Sequence, residues 1–356
     1  MKTLDRIEAI KKSDPSNMQK LLEEFPKQLE EAWTIGESLK VDKNLARQAN
    51  HIVFTGLGGS AIGADLIKGY VQNEIRCPIL VNRSYVLPRF VTSQTLLVVS
   101  SYSGNTEETI SAYLEGKERE ARIVAISSGG EVEKLAQRYG DPHIKIPSGF
   151  PPRVALGYSV IPLLLLLDRL GLIHFQKSDF DETVALLKSS RGKIKPNAEG
   201  RNEAKELATL FYNRYPLFYS AADHFEVVAL RWRGQMEENA KALATHHVLP
   251  EMNHNEIVGW CHPQEMLKNF VAVFLRDREE HPRVQIRMKI TQDLIEKQGA
   301  KVVQVWSEGQ SLLARIFSLI YKGDFASFYL AILYGVDPTA VKVIDYLKGE
   351  LAKVKA

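Results

Sequence analysis

"HIVFTGLGGSAIGADLIKGYV", His51 to Val71, decides the fold. It reads as a strand, a glycine loop at Gly56, Gly58 and Gly59, and a helix, the order in which a parallel α/β unit opens. The alternation continues outward from this stretch. "CPILVNR" (77–83) reads as a second strand, "QTLLVVSS" (94–101) as a third, "ARIVAISS" (121–128) as a fourth and "DPHIKIPSG" (141–149) as a fifth. Continuous apolar strands separated by helical stretches predict a parallel sheet covered on both faces. Upstream, "MQKLLEEFPKQLEEAW" (18–33) spaces its apolar residues helically, so residues 1–40 read as an N-terminal helical segment.

A charged stretch, "KSSRGKIKPNAEGRNEAKEL" (188–207), then interrupts, and the order repeats. "YPLFYSAADHFEVVALRWRGQ" (215–235) mirrors the first strand, loop and helix, "NFVAVFLRDREEHPRVQIRMKIT" (269–291) the third strand and its helix, and "AKVVQVWSE" (300–308) the fourth strand. "GDFASFYLAILYGVDP" (323–338) mirrors the Leu-rich "GYSVIPLLLLLDRLGLI" (157–173) that closes the first half. The fold class that follows is α/β, with two doubly wound parallel sheets at 41–190 and 200–356. The second half has lost its hydroxyl loop, since "FLRDREE" (274–280) stands where the first half has "SSYSGNT" (100–106).

The totals narrow the function. With 356 residues, of which 45% are hydrophobic, the chain can build two cores. Lys and Arg number 46 against 43 acids, and no basic block interleaves with aromatics, which argues against a nucleic-acid partner. Cys77 and Cys261 match no metal spacing, read as small core residues, and fit a reducing cytoplasm. The charged start "MKTLDRIEAIKKSD" is unlike a secretion signal. Pro162, Asp168 and Arg169 interrupt the Leu-rich stretch, which therefore reads as a buried helix and not a membrane span.

Two glycine loops bear on the ligand. Gly56, Gly58 and Ala61 match a dinucleotide pattern, yet the next strand ends in Asn82 and Arg83 where an acid for the ribose is expected; Arg83 would suit only a 2′-phosphate. Neither loop has the Gly-Lys-Ser/Thr ending of a P-loop. Ser60 in one loop and Ser101, Ser103 and Thr106 in the other place hydroxyls at predicted helix starts on the carboxyl edge of the sheet. One reading is ordinary helix capping. The other is a phosphate site built from hydroxyls and helix N-termini.

"GLGGSAIGADL" (56–66), "SSYSGNTEET" (100–109), "PSGFPPRVALGYS" (147–159), "EENAK" (237–241) and "HNEIVGW" (254–260) together resemble the archaeal and bacterial bifunctional phosphoglucose/phosphomannose isomerases. That family is built from two sugar isomerase (SIS) domains, which are flavodoxin-like. The resemblance runs from about residue 40 to the C-terminus. "SYSGNT" alone marks a sugar-phosphate-binding domain, and "EENAK" with "HNEIVGW" narrows it to this isomerase group.

Aldose–ketose isomerisation needs a carboxylate base over two carbons, an acid–base group for ring opening and a cation beside the developing oxyanion. The resemblance implies Glu238 as base, with the adjacent Glu237 a solvated surface group. It implies His254 as a ring-opening group reaching in from the partner subunit of a homodimer, and Arg153 as the stabilising cation. A C-terminal lysine, Lys348 or else Lys342, would assist ring opening, and Thr339 would line the sugar pocket. Gly59, Ser60, Ser101, Ser103 and Thr106 would hold the phosphate. The implied substrates are hexose 6-phosphates, with no cofactor and no metal; His246, His247 and His254 have no zinc-site spacing. Two alternatives share the hydroxyl loops. A sugar-phosphate-sensing SIS protein would need no base. The isomerase half of a glucosamine-6-phosphate synthase would accompany an N-terminal nucleophilic cysteine, where this chain has Lys2.

Overall fold

The computed structural model describes residues 4–47, 49–351 and 353–354. Three helices precede the first sheet: α1 (Ile7–Ser13), α2 (Met18–Glu23) and α3 (Phe25–Glu37). Buried Asp14 starts α2 by accepting from the Met18 and Gln19 amides at 2.7 and 2.9 Å. The apolar face of α3, with Phe25, Leu29 and Ala32 buried, lies on the helix that closes the first half.

The first sheet contains β1 (His51–Thr55), β2 (Ile79–Asn82), β3 (Thr95–Ser100), β4 (Arg122–Ser127) and β5 (His143–Lys145), in the order β2-β1-β3-β4-β5. Every pairing is parallel. Helices α4 (Gly58–Val71), α5 (Glu107–Glu118) and α6 (Gly130–Tyr139) are the crossovers, and α7 (Leu156–Arg169) follows β5. All six residues of β3 are buried, as its unbroken apolar run predicts for a central strand. The Leu-rich stretch is α7, buried from Leu156 to Leu167 with Pro162 inside it.

Helices α8 (Lys177–Ile194) and α9 (Glu203–Phe211) lead into the second sheet. It holds β6 (Tyr215–Ala221), β7 (Thr245–Leu249), β8 (Phe270–Arg276) and β9 (Lys301–Trp306) in the order β7-β6-β8-β9, again all parallel. Its helices are α10 (Glu226–Ala240), the short α11 (Glu256–Gly259) and α12 (Gln264–Leu267), then α13 (Pro282–Lys297), α14 (Leu312–Tyr334) and α15 (Lys342–Leu351). The internal repeat is therefore real: the order β7-β6-β8-β9 reproduces β2-β1-β3-β4 of the first sheet.

Two expectations need correction. The strand β7 has no counterpart in the sequence reading, because "THHVL" is only partly buried and begins with polar residues instead of an apolar run. Cys77 is half-buried and packs against the core, but Cys261 is exposed and no core residue; it lies in the turn-rich connection between α11 and α12. Among the described residues one helix, α14, is long and apolar enough to cross a membrane, but 94% of its apolar window is buried inside the fold, against α8, α9 and α10.

Candidate active site

Loops from adjacent strands β1 and β3 meet at the carboxyl edge of the first sheet. Ser60, in the first turn of α4, is buried, and its Oγ accepts from the Tyr102 amide at 3.2 Å. Ser101 Oγ accepts from the Gly104 amide at 3.1 Å and lies 2.9 Å from Thr106 Oγ1. Ser103 is exposed, its Oγ accepting from the Asn105 amide at 3.2 Å. Thr106 occupies the N-cap position of α5, yet its side chain makes no capping hydrogen bond. The hydroxyl turns to Ser101 instead, which separates this loop from an ordinary helix cap.

Two glycines make the geometry possible. Gly104 has φ +70°, and a Cβ there would lie 1.7 Å from the Gly129 carbonyl oxygen. A Cβ on Gly59 would lie 2.7 Å from the carbonyl oxygen of Pro152, so this glycine lets the loop touch the segment that carries Arg153.

Arg153 sits in a 3-10 turn, Pro152–Val154, and is 4% exposed. Its side chain crosses to the second half. Nε donates to Asn239 Oδ1 at 2.6 Å, and Nη2 donates to the carbonyls of Pro338 and Thr339 at 2.6 and 2.9 Å. Nη1 faces Glu238 Oε2 at 3.4 Å. Burial pushes the Arg153 pKa down and the Glu238 carboxylate opposes that shift.

Glu238 and Asn239 end α10, where Lys241 turns the chain in a left-handed conformation at φ +55°. The Lys241 ammonium donates to the carbonyls of Glu238 and Asn239 at 3.0 and 3.2 Å and to that of Asp337. Burial and the nearby Arg153 lower its pKa. Asn239 is fully buried and donates to Ser327 Oγ at 2.9 Å. Behind it, Arg231 pairs with Asp324 at 2.7 Å, both buried, and also donates to the Arg153 carbonyl at 2.9 Å. Arg153 is thus held at both its backbone and its guanidinium. Glu237 is half-buried and pairs with Arg233 at 3.6 Å, not a freely solvated group; burial raises its pKa.

A cavity of about 680 Å³ opens beside Glu238, with Lys241, Leu243, Asp337, Val341 and Lys342 among its walls. Thr339 gives its carbonyl to Arg153, while its Oγ1 is buried without a hydrogen-bond partner among the described residues. His254 is exposed at the end of the 3-10 turn Glu251–His254 beyond β7, and Lys348 is exposed on α15. No hydrogen bond or ion pair among the described residues joins His254 or Lys348 to Glu238 or Arg153. No cluster of three His, Cys, Asp or Glu side chains among them is placed to hold a metal ion.

Sequence reasoning left Asn239, Lys241, Arg231 and Asp324 without a role. Two of these were within "EENAK", and Asp324 is a lone acid in an apolar helix, a pattern that signals a buried partner.

Residues 200–351 match the family described as bacterial phospho-glucose isomerase C-terminal SIS domain. Over 332 residues the chain is 48% identical to a bifunctional phosphoglucose/phosphomannose isomerase of Caldicellulosiruptor bescii, covering 93% of this chain and 98% of the relative. The protein of the same description from Aquifex aeolicus is 37% identical over 304 residues, 85% of this chain and 90% of the relative. Among solved structures, a hypothetical protein of Thermus thermophilus matches with a TM-score of 0.74 at 15% identity, over 98% of this chain and 93% of that one. That last likeness is one of fold.

Proposed function

The chain belongs to the bifunctional phosphoglucose/phosphomannose isomerase family, and from that premise we propose that it interconverts glucose 6-phosphate and mannose 6-phosphate with fructose 6-phosphate through an enediolate. The observation that carries this reading is the Arg153–Glu238 pair, a carboxylate 3.4 Å from a buried guanidinium, with Glu238 on the wall of an open cavity.

The chemistry follows from the groups present. Ser60, Ser101, Ser103 and Thr106 donate to the phosphate, with the Gly59 backbone beside it, and this anchors the sugar at its sixth carbon. In the open-chain aldose, Glu238 removes the C2 proton and the C1 carbonyl becomes an enediolate oxygen. Arg153 Nη1 stabilises that negative charge. The hydroxyl proton on O2 passes to O1, which moves the negative charge to O2, and returning the carbon proton from Glu238 to C1 then gives the ketose and restores the carboxylate. Glucose and mannose phosphates differ only at C2, so rotation about C2–C3 in one pocket serves both.

Ring opening falls to His254 of a second copy of the chain, with Lys348 as the C-terminal cation and Thr339 lining the sugar pocket. Support for a second copy comes from the exposed apolar residues Val258, near His254, and Val343, Tyr346 and Leu347 on α15. Base, cation and acid are all side chains, so chelation is expected to leave the rate unchanged. Domain limits of 41–190 and 200–356 and a cytoplasmic location complete the reading.

The test is Glu238→Gln, which keeps shape and removes the base. Turnover is expected to fall about 10²–10⁴-fold, with inorganic phosphate bound as in the parent. Turnover at the parent rate would remove Glu238 from the mechanism.

A further inference from the structure

We propose that Tyr102 couples occupancy of the phosphate loops to the placement of Arg153, as a positioning residue through which the phosphate dianion activates the site. The inference rests on the reading of those loops as the phosphate site.

Within "SYSGNT", Asn105 Oδ1 accepts from the Glu131 amide at 3.0 Å, and Tyr102 sends its side chain out of the loop toward residues 147–150. Its backbone belongs to the hydroxyl cage: the amide donates to Ser60 Oγ at 3.2 Å, and the carbonyl accepts from the Ser128 amide and hydroxyl at 2.9 and 2.7 Å. The residue is 9% exposed, and its phenol lies against the segment that leads to Arg153. The phenolic oxygen accepts from the Phe150 amide at 2.8 Å and donates to the Pro147 carbonyl at 3.0 Å. A phenylalanine would fill the same space; the hydroxyl serves segment 147–150 alone.

That segment needs an external hold. Pro147, Pro151 and Pro152 have no amide hydrogen to donate, and Gly149 has φ +92°. Beyond Phe150 the chain runs through Pro152, which touches Gly59, into Arg153, whose Nη1 faces Glu238. Two tethers therefore connect the phosphate loops to the cation, one through the Tyr102 hydroxyl and one through the Gly59 contact.

Physical consequences follow from the order of hydrogen bonds. A phosphate oxygen that accepts from Ser60 Oγ polarises that hydroxyl and strengthens the Tyr102 amide bond to it. Fixing Ser60 then fixes Tyr102, and the phenol fixes residues 147–150. Binding energy from a group that does not react is in this way used to order a group that stabilises the transition state. The ligand class is a phosphate monoester dianion, for which inorganic phosphate is the simplest probe.

The test compares the full-length parent with Tyr102→Phe, first by amide hydrogen exchange across residues 147–155 with and without inorganic phosphate. In the parent, phosphate is expected to slow exchange there. In Tyr102→Phe, phosphate is expected to bind within about twofold of the parent affinity and to leave exchange in 147–155 unchanged. Turnover of fructose 6-phosphate is expected to fall about tenfold with KM nearly kept, the loss of two neutral hydrogen bonds expressed in the rate. Equal slowing in both proteins, no slowing in the parent, or a matching loss of phosphate affinity in the variant would overturn the proposal. The exchange arm needs no turnover, so its failure is distinct from failure of the isomerase assignment.

Discussion

At the scale of the residue, the site depends on a buried guanidinium held by protein acceptors. Arg153 has few degrees of freedom because Asn239, Pro338 and Thr339 each accept from its guanidinium. Replacing Asn239 by leucine strands Arg153 Nε in a buried place, which costs about 1–3 kcal/mol. Urea unfolding is expected to show that loss, and turnover is expected to fall with it; a variant as stable and active as the parent would mean the contact holds nothing. Arg153→Lys is a harsher change than its charge suggests, because one ammonium cannot reach Asn239, two carbonyls and Glu238 together.

At the scale of the element, β7 introduces a pH dependence that no motif announces. His246 lies on this edge strand with Nδ1 buried and unpartnered among the described residues, and burial first, then Arg233 and His247, bring its pKa down to about 4. The unfolded chain protonates this imidazole near pH 6.5 and the folded one does not, so the unfolded state binds more protons between the two values. Stability is therefore expected to decline as pH falls from about 6.5 toward 4, by about 1–2 kcal/mol after allowance for partial solvent access. Urea midpoints at about pH 7 and about pH 5 measure this directly. His246→Gln should flatten the difference, and an unchanged slope would assign it to other groups. The strand itself was hard to read for a related reason: two histidines and a threonine in a half-buried edge position lack the continuous apolar run that marks β1, β3, β6 and β8.

For the whole molecule, the two-sheet architecture was legible because parallel strands buried on both faces need unbroken apolar residues, and the chain supplies them twice. The hydroxyl loop was legible because its residues are contiguous. The frame around Arg153 was not, since Asn239, Ser327, Asp324 and Pro338 are far apart in sequence and meet only when the second half packs α10 on α14, and Arg153 reaches them only across the two halves. His254 and Lys348 remain apart from that frame within one chain, and a site shared between two copies makes its own prediction. Glu238→Gln chains mixed and re-equilibrated with His254→Asn chains should recover about a quarter of parental activity, since half the dimers then hold one intact site of two. No recovery, with mixed dimers shown to form, would place His254 and Glu238 in the same chain's site, and parental activity of the His254→Asn protein on its own would remove His254 from the reaction.

The most direct measurement of the central claim is a coupled assay of the purified, chelator-treated chain with fructose 6-phosphate, reading glucose 6-phosphate and mannose 6-phosphate separately. Both are expected to form, and both to be lost together in Glu238→Gln. Formation of one epimer alone would contradict the single pocket serving both. Absence of either product, with phosphate still bound, would mean that the loops and the Arg153–Glu238 pair serve recognition without catalysis.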